Sequence, residues 1–340
     1  MGLSVRDFAP ADHDWARELI GRHQAGDHRV ALFGQLLDPL AHEGLVAVTD
    51  GGRPSGLLTV TESDRGLGIL TLHADPPGAG AGTLLLRTAL DVARASAAHR
   101  AWLVMTNDNL DAIAWSLRRG LTVATVHERA VDGDRAAVKP TLPAANPDNG
   151  IPIRDYVELE ISLGPDEAPT ERGFPRIEDL DRLPPEVAIH LLGPLFEKAP
   201  RFLARLVELR PFENDAGLLA AAHDLARTLP EEEQVELLDA HPRIGADPAT
   251  VSPLSHAEQG YDEEAPPVEP WIGEELEALN DAYERIFGFR FVVFVAGRPR
   301  SAIVPLAETA LRDERVSELR RGLDDVVYIA GDRLAKLRGP

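Results

Sequence analysis

The chain has 340 residues, a formal net charge of −21 and no cysteine. That length suggests two domains of roughly 100–200 residues each, and 44% hydrophobic with 27% charged residues describes an ordinary globular protein. The acidity speaks against wrapping nucleic acid, which needs a concentrated Lys/Arg face. The missing cysteine excludes disulfides, thiolate nucleophiles and cysteine-rich zinc sites. The opening stretch, MGLSVRDFAPADHDW, has no basic region followed by an apolar run, so a cytoplasmic protein without a membrane partner is expected.

From Met1 to Leu163 strands and helices mix. GLVAVTDGGRPSGLLTVTES reads as an antiparallel hairpin around a Gly-Gly turn, and GILTLHA as a third strand. After the break DPPGAGAG, TLLLRTALDVARASAAHR carries leucine and alanine at helical spacing. AWLVMT reads as a buried strand, NLDAIAWSLRRG as a helix closed by Gly120, and LTVATVHE as another strand, giving the order α, antiparallel β, then βαβαβ. The Pro/Glu/Gly-rich stretch from Ile161 to Gly173 marks a linker, assigned to residues 164–173. From Phe174 to Pro340 helical stripes dominate. FRFVVFVAG alone is dense enough in Phe and Val for a strand, although flanking helices could hold it as a buried extended segment or a helix start.

Gly78, Gly80 and Gly82 stand between a strand and a helix. Alternating glycines let backbone N–H groups at a helix start converge on an anion, favoured there by the helix dipole. A bland Gly-rich turn is the competing reading, and the spacing and preceding hairpin differ from a Rossmann loop. With PGAGAGTLLL and the later NDNLDAIAWSLRRGL in this order, residues Val5 to Leu163 resemble the GNAT acetyltransferases. The resemblance implies a mixed sheet flanked by helices and an acetyl-CoA site. Leu72, His73 and Ala74 would meet the pantetheine arm, Ala79, Gly80, Gly82 and Thr83 the pyrophosphate, and Asn109 a position near the cofactor arm. The chain departs from the family pattern twice. Pro77 stands where Arg or Gln usually begins the loop, which removes a donor. Ser116 replaces the usual tyrosine acid, and an aliphatic hydroxyl is a poor proton donor beside a phenol of pKa about 10.

The second half raises a different question. In LLDAHPRIGADP an acidic helix runs into His241-Pro242, and because a residue before proline is pushed out of the α region, the helix should end at about His241. Downstream, PLSHAEQGYD adds Ser255, Glu258 and Gln259. S-x-x-E is a capping-box pattern, the bland reading of Ser255 and Glu258. A metal site on His241, His256 and Glu258 lacks tight ligand spacing, and a Ser255-His241-Glu258 triad lacks a G-x-S-x-G elbow.

RPFEN, LLDAHPRIG, LSHAEQ, LNDAYERIFGFRFVVFVAGR and IAGDRLAKLR occur in the order seen in 2-oxo-4-hydroxy-4-carboxy-5-ureidoimidazoline (OHCU) decarboxylases, which Gly173 to Gly339 resemble. The resemblance implies an all-α helical bundle, no metal or organic cofactor, a homodimer, and conversion of OHCU to (S)-allantoin in urate breakdown. By position His241 and Glu258 match the catalytic pair, and Pro242, Ser255 and Gln259 match substrate contacts. Phe291, Val292, Val293, Phe294 and Val295 match the pocket wall, and Arg333 a basic group near the substrate oxygens. For Arg333 the bland alternative is a solvated charge on a C-terminal helix; for Phe289, Phe291 and Phe294 it is core packing. EQGYD departs from the alanine-glycine that often follows the glutamine.

The chemistry suits these residue types. Losing CO2 leaves electron density that must be delocalised and then protonated on one face. An imidazole with pKa near 6.5 can exchange a proton near neutrality, and Glu258 is expected to accept its hydrogen bond, fixing the tautomer or keeping it cationic. The expected whole is a GNAT-like acetyl-CoA-dependent module of unknown acceptor fused to an OHCU decarboxylase. In one alternative the front module senses or scaffolds without catalysis; in another the helical half acts on a different ureido or imidazoline acid.

Overall fold

The computed structural model describes residues 2–23, 26–63, 66–96, 98–164, 171–247, 249, 251–258 and 270–339. The chain divides into two compact units, Met1–Arg172 with Arg182–Val187, and Gly173–Asp181 with Ala188–Pro340.

The first unit is built on a seven-stranded mixed sheet. The chain runs β1 (Leu3–Asp7), α1 (His13–His23), a small hairpin of β2 (Val30–Leu32) and β3 (Gln35–Leu37), then β4 (Gly44–Thr49), β5 (Pro54–Ser63) and β6 (Gly66–Ala74). It continues through α2 (Ala81–Ala95), β7 (Arg100–Thr106), α3 (Leu110–Arg118), β8 (Thr122–His127), α4 (Ala130–Ala137) and β9 (Tyr156–Ser162). The sheet order is β1-β4-β5-β6-β7-β9-β8, parallel only between β6 and β7. The expected hairpin, third strand and βαβαβ sequence all form. Four features differ from the sequence reading: a strand precedes the first helix, the β2–β3 hairpin and helix α4 are additional, and the tail YVELEIS inserts as β9 between β7 and β8. Its alternation of valine, leucine and isoleucine with tyrosine and glutamate explains the strand, because Val157 and Leu159 are fully buried on one face.

Helix α2 packs against the sheet on a stripe of Leu85, Leu86, Ala89, Leu90 and Ala93. The approach is close. A Cβ on Gly56 of β5 would sit 2.9 Å from Leu85 Cδ1 and 3.2 Å from Ala81 Cβ, so a larger residue there would require Leu85 at least to shift.

The second unit is helical and contains no strand among its described residues. Its helices are α5 (Ile177–Arg182), α6 (Pro185–Leu192), α7 (Pro200–Glu208), α8 (Asp215–Thr228), α9 (Glu231–Asp239), α10 (Pro253–Glu258), α11 (Pro270–Phe287), α12 (Val304–Ala310) and α13 (Arg315–Arg338), of which α5 and the start of α6 fall at the division between units. The 24-residue α13 is the spine, packing on α8 and α9 through Leu319, Leu323, Val326, Ala330 and Leu334. These recur at i, i+4, i+7, i+11 and i+15, one continuous face, and each large side chain buried contributes about 1.5–3 kcal/mol.

FRFVVFVAG takes neither helix nor strand. It runs from buried Phe289, Phe291 and Val292 to exposed Ala296 and Gly297, so the expected buried extended segment holds for its first half only. Phe289 and Phe291 pack on Tyr283, with ring centroids 5.8 and 5.0 Å away, so core packing is a genuine part of their role. Val292 O accepts from Arg321 Nη1 at 2.8 Å, and the backbone of Phe294 is hydrogen-bonded to Asp325. Two side chains of α13 thus peg the segment in place.

Candidate functional site

In the second unit a small pocket open to solvent is lined by His241, Pro242, Ser255, Glu258, Phe291, Val292, Val293, Phe294, Val295 and Arg333, together with Ile244, Ala296, Gly297, Ile329, Asp332 and Lys336. Every expected decarboxylase-site residue that the structure describes lies on this wall. Gln259 lies outside the described residues.

Helix α9 ends at Asp239, two residues before the histidine, and His241 N donates to Leu238 O at 3.1 Å. The imidazole is 3% exposed. Its Nδ1 lies 3.1 Å from Leu237 O, which only an N–H can satisfy, so Nδ1 carries the proton and Nε2 the lone pair. Nε2 is buried and has no hydrogen-bond partner among the described residues. Burial, assisted by the positive Arg333, pushes the pKa of His241 down to about 4.

This corrects the expected pairing. Leu237 O, not Glu258, fixes the tautomer, and the ring is neutral at pH 7 rather than poised or cationic. Glu258 is engaged elsewhere: Arg333 Nε donates to its Oε1 at 2.7 Å and Nη2 to its Oε2 at 2.8 Å, a bidentate clamp.

Arg333 is 1% exposed, so the solvated-charge reading fails. Its remaining donors are also taken, by Glu197 Oε1 at 2.6 Å, Ser255 Oγ at 2.8 Å, Pro194 O at 2.9 Å and Leu195 O at 3.4 Å. A guanidinium has five N–H groups, and these acceptors account for all of them. The arginine organises carboxylates and has no donor left for a substrate oxygen.

The capping box does not form either. Ser252 Oγ accepts from Ser255 N at 3.2 Å and so caps α10, while Ser255 and Glu258 lie inside the helix. The Ser255 hydroxyl donates to Glu197 Oε1 at 2.6 Å. Glu197 belongs to none of the sequence motifs. Its carboxyl would be raised by burial, but Arg333 and the Ser255 hydroxyl hold it below the usual range.

In the first unit, β6 and β7 pair only over Leu67–Ile69 with Ala101–Leu103, although they run on to Ala74 and Thr106. The strands therefore part along Leu72, His73 and Ala74. Beyond them Gly78 and Gly80 adopt φ of 79° and 90°, a left-handed backbone that favours glycine, and Gly80 caps α2. A side chain at Gly78 would meet no atom within 4 Å, so the loop backbone lies open. Ala79 is exposed in this loop and Gly82 and Thr83 open the helix. Asn109 is the N-cap position of α3. His73 stacks on His23 at 4.8 Å, and burial pushes its pKa down to about 4.

Two further observations bear on the departures at Pro77 and Ser116. Arg119 donates from Nε and Nη2 to Thr83 Oγ1 at 3.0 and 2.8 Å, with its guanidinium 4.0 Å from the Trp115 ring centroid. A cation thus sits at the first turn of α2 despite Pro77. Ser116 is 2% exposed and donates to Ala112 O at 2.8 Å, an ordinary helix back-bond.

Comparison with known proteins follows the same division. Residues 11–121 match the acetyltransferase (GNAT) family and residues 181–335 match OHCU decarboxylase. A crystal structure of (S)-allantoin synthase overlaps 47% of this chain and 52% of its own, at 21% identity and a TM-score of 0.37. The uric acid degradation bifunctional protein PucL of Bacillus subtilis is 29% identical over 47% of this chain, which spans 32% of that protein. The 2-oxo-4-hydroxy-4-carboxy-5-ureidoimidazoline decarboxylase of Halalkalicoccus jeotgali is 30% identical over 166 residues, 48% of this chain and 92% of that one. With likeness over nearly the whole of that relative, the chain belongs to the OHCU decarboxylase family, carrying in front of that region a GNAT-family domain.

Proposed function

We propose that the cavity of the second unit decarboxylates OHCU to (S)-allantoin. One observation carries the reading: a buried, neutral His241 presents an unpartnered Nε2 in a cavity shared with the Arg333-clamped Glu258. The substrate bears a hydroxyl and a carboxylate on one ring carbon. As the C–CO2 bond breaks, its electron pair moves through the adjacent C=N bond onto the ring nitrogen, which takes up one proton from water, and the hydroxyl proton must leave for the carbon to become a carbonyl. Nε2, holding a lone pair, accepts that proton. The protonated ring then returns a proton to one face, which sets the hand of the product. Glu258 keeps a lone pair on each oxygen beyond the arginine clamp and can receive ring or ureido N–H groups.

The test is freshly generated OHCU followed by circular dichroism of allantoin. Acceleration over spontaneous decay with one enantiomer in excess is expected, and no acceleration would sink the reading. The family resemblance also supports a cytoplasmic protein and a homodimer, the latter expected to show twice the chain mass in light scattering.

For the first unit we propose that acetyl-CoA lies along Leu72–Ala74, with its pyrophosphate at Ala79, Gly80, Gly82 and Thr83, and Asn109 near the arm. The open Gly78–Gly80 backbone and the Arg119 cation suit a diphosphate. Acetyl transfer to an amine of unknown identity is the first reading. Binding without turnover is the second, favoured by the internal bond of Ser116. Calorimetry with acetyl-CoA, followed by thiol release in a panel of small amines, separates the two.

A further inference from the structure

We infer that Lys336 is the group that receives the substrate carboxylate, holding it at the wet mouth of the cavity while the hydroxyl reaches buried His241. This role rests on the reading of that cavity as the decarboxylase site.

Charge along the cavity wall leaves one candidate. The substrate is an anion, and in a chain of net charge −21 it needs a local cation to meet it. Among the described residues three basic side chains line the cavity: His241, Arg333 and Lys336. The imidazole is buried and neutral, its only ring donor given to Leu237 O. Arg333 spends its N–H groups on Glu258, Glu197, Ser255 and the carbonyls of Pro194 and Leu195. Lys336 differs. Its ammonium carries three N–H groups and is paired with Asp332 Oδ2 at 2.7 Å, which leaves donors for a second acceptor.

Position agrees with charge. Ile329, Asp332, Arg333 and Lys336 recur at i, i+3, i+4 and i+7 on one face of α13, so Lys336 lies about 4.5 Å beyond Arg333 along the axis. Burial falls the same way: the Arg333 side chain is 1% exposed and that of Lys336 54%. A wet anchor also suits the chemistry. An interaction stronger with the substrate than with the transition state slows the step, and a solvated ammonium binds a carboxylate only loosely. It selects the anion without holding back CO2.

The competing role for Lys336 is an ordinary i, i+4 ion pair in the last turn of a helix. Allantoin separates the two, because the product has lost the carboxylate. Steady-state kinetics of the full chain on freshly generated OHCU, with (S)-allantoin as inhibitor, are compared in wild type, Lys336→Met and Asp332→Asn. Methionine keeps much of the length and removes the charge. In Lys336→Met, KM for OHCU is expected to rise about 2- to 5-fold, the scale of an exposed ion pair, while the Ki of allantoin stays at the wild-type value. Added salt should shrink the ratio of the two KM values. Asp332→Asn removes the competing anion, so its KM should fall. A merely structural lysine would move KM and Ki together, or neither. Unchanged KM in Lys336→Met, equal rises in KM and Ki, loss of folding in that variant, or a raised KM in Asp332→Asn overturns the inference. Wild type distinguishes the failures: if it does not accelerate decay, the function proposed for the cavity falls and the role of Lys336 with it, whereas an active wild type matched by Lys336→Met removes only that role.

Discussion

The two candidate sites are built on opposite plans. In the first unit the binding groups are backbone: a glycine loop, a helix start and a strand edge left open where β6 and β7 part. In the second they are side chains, buried His241 and Arg333 and half-buried Glu258, with the histidine held by α9 and the clamp made between α10, α13 and Pro194–Glu197. A backbone site can hold a cofactor without committing to chemistry; a desolvated imidazole with an idle nitrogen is hard to explain without it. The difference teaches where to look for catalysis and where only for binding.

Substitution at the idle nitrogen should break the comparison most sharply. His241→Asn preserves much of the shape and removes the acceptor, so turnover of OHCU should drop about 100- to 10,000-fold, the usual contribution of a positioned acid/base. Circular dichroism of allantoin reads this directly, and wild-type turnover in a folded variant would move catalysis elsewhere.

Acid titration gives a smaller effect with a defined sign. The folded pKa of His241, about 4, lies below the ordinary value of 6.5, so between the two the unfolded chain binds more protons than the folded one. The contribution of the neutral ring is therefore full above about pH 6.5 and is lost as pH falls towards 4. Urea unfolding midpoints should decline through that window, and in His241→Asn the decline should be shallower. Activity tied to neutral Nε2 should persist below pH 6.5, where an ordinary histidine would already be protonated.

The smallest effect belongs to the first unit. Ser116→Ala removes a hydroxyl already committed to Ala112 O, so any acetyl transfer should stay within about twofold, since a helix back-bond adds little. A large loss in thiol release would restore Ser116 as a participant.

Much of this was legible in the sequence, for physical reasons. Strands β4 to β8 and the helices from α6 onward, apart from the six-residue α10, announce themselves by periodicity, and the described site residues of the second half converge on one cavity. What escaped is what depends on long-range partners. YVELEIS alternates like a strand, but nothing local says that it enters between β7 and β8. S-x-x-E suggested a cap one turn out of place, because Ser252, three residues earlier, takes the N-cap position and binds the N–H of Ser255 itself. Glu197 sits in FEKAP as one more charged residue, and its meaning comes from partners 55 to 136 positions away. The histidine was visible, but its protonation was not, since burial and the Leu237 carbonyl are tertiary facts.

The saturation of Arg333 has a consequence for how related sequences are read. One guanidinium ties together Pro194–Glu197, Ser255–Glu258 and α13, so replacing it damages folding and site together. Its persistence among relatives would satisfy two selective demands at once and could not testify to either. His241 is the more informative witness: its Nε2 makes no bond within the described fold, so a lineage that abandoned the reaction would be free to lose it first.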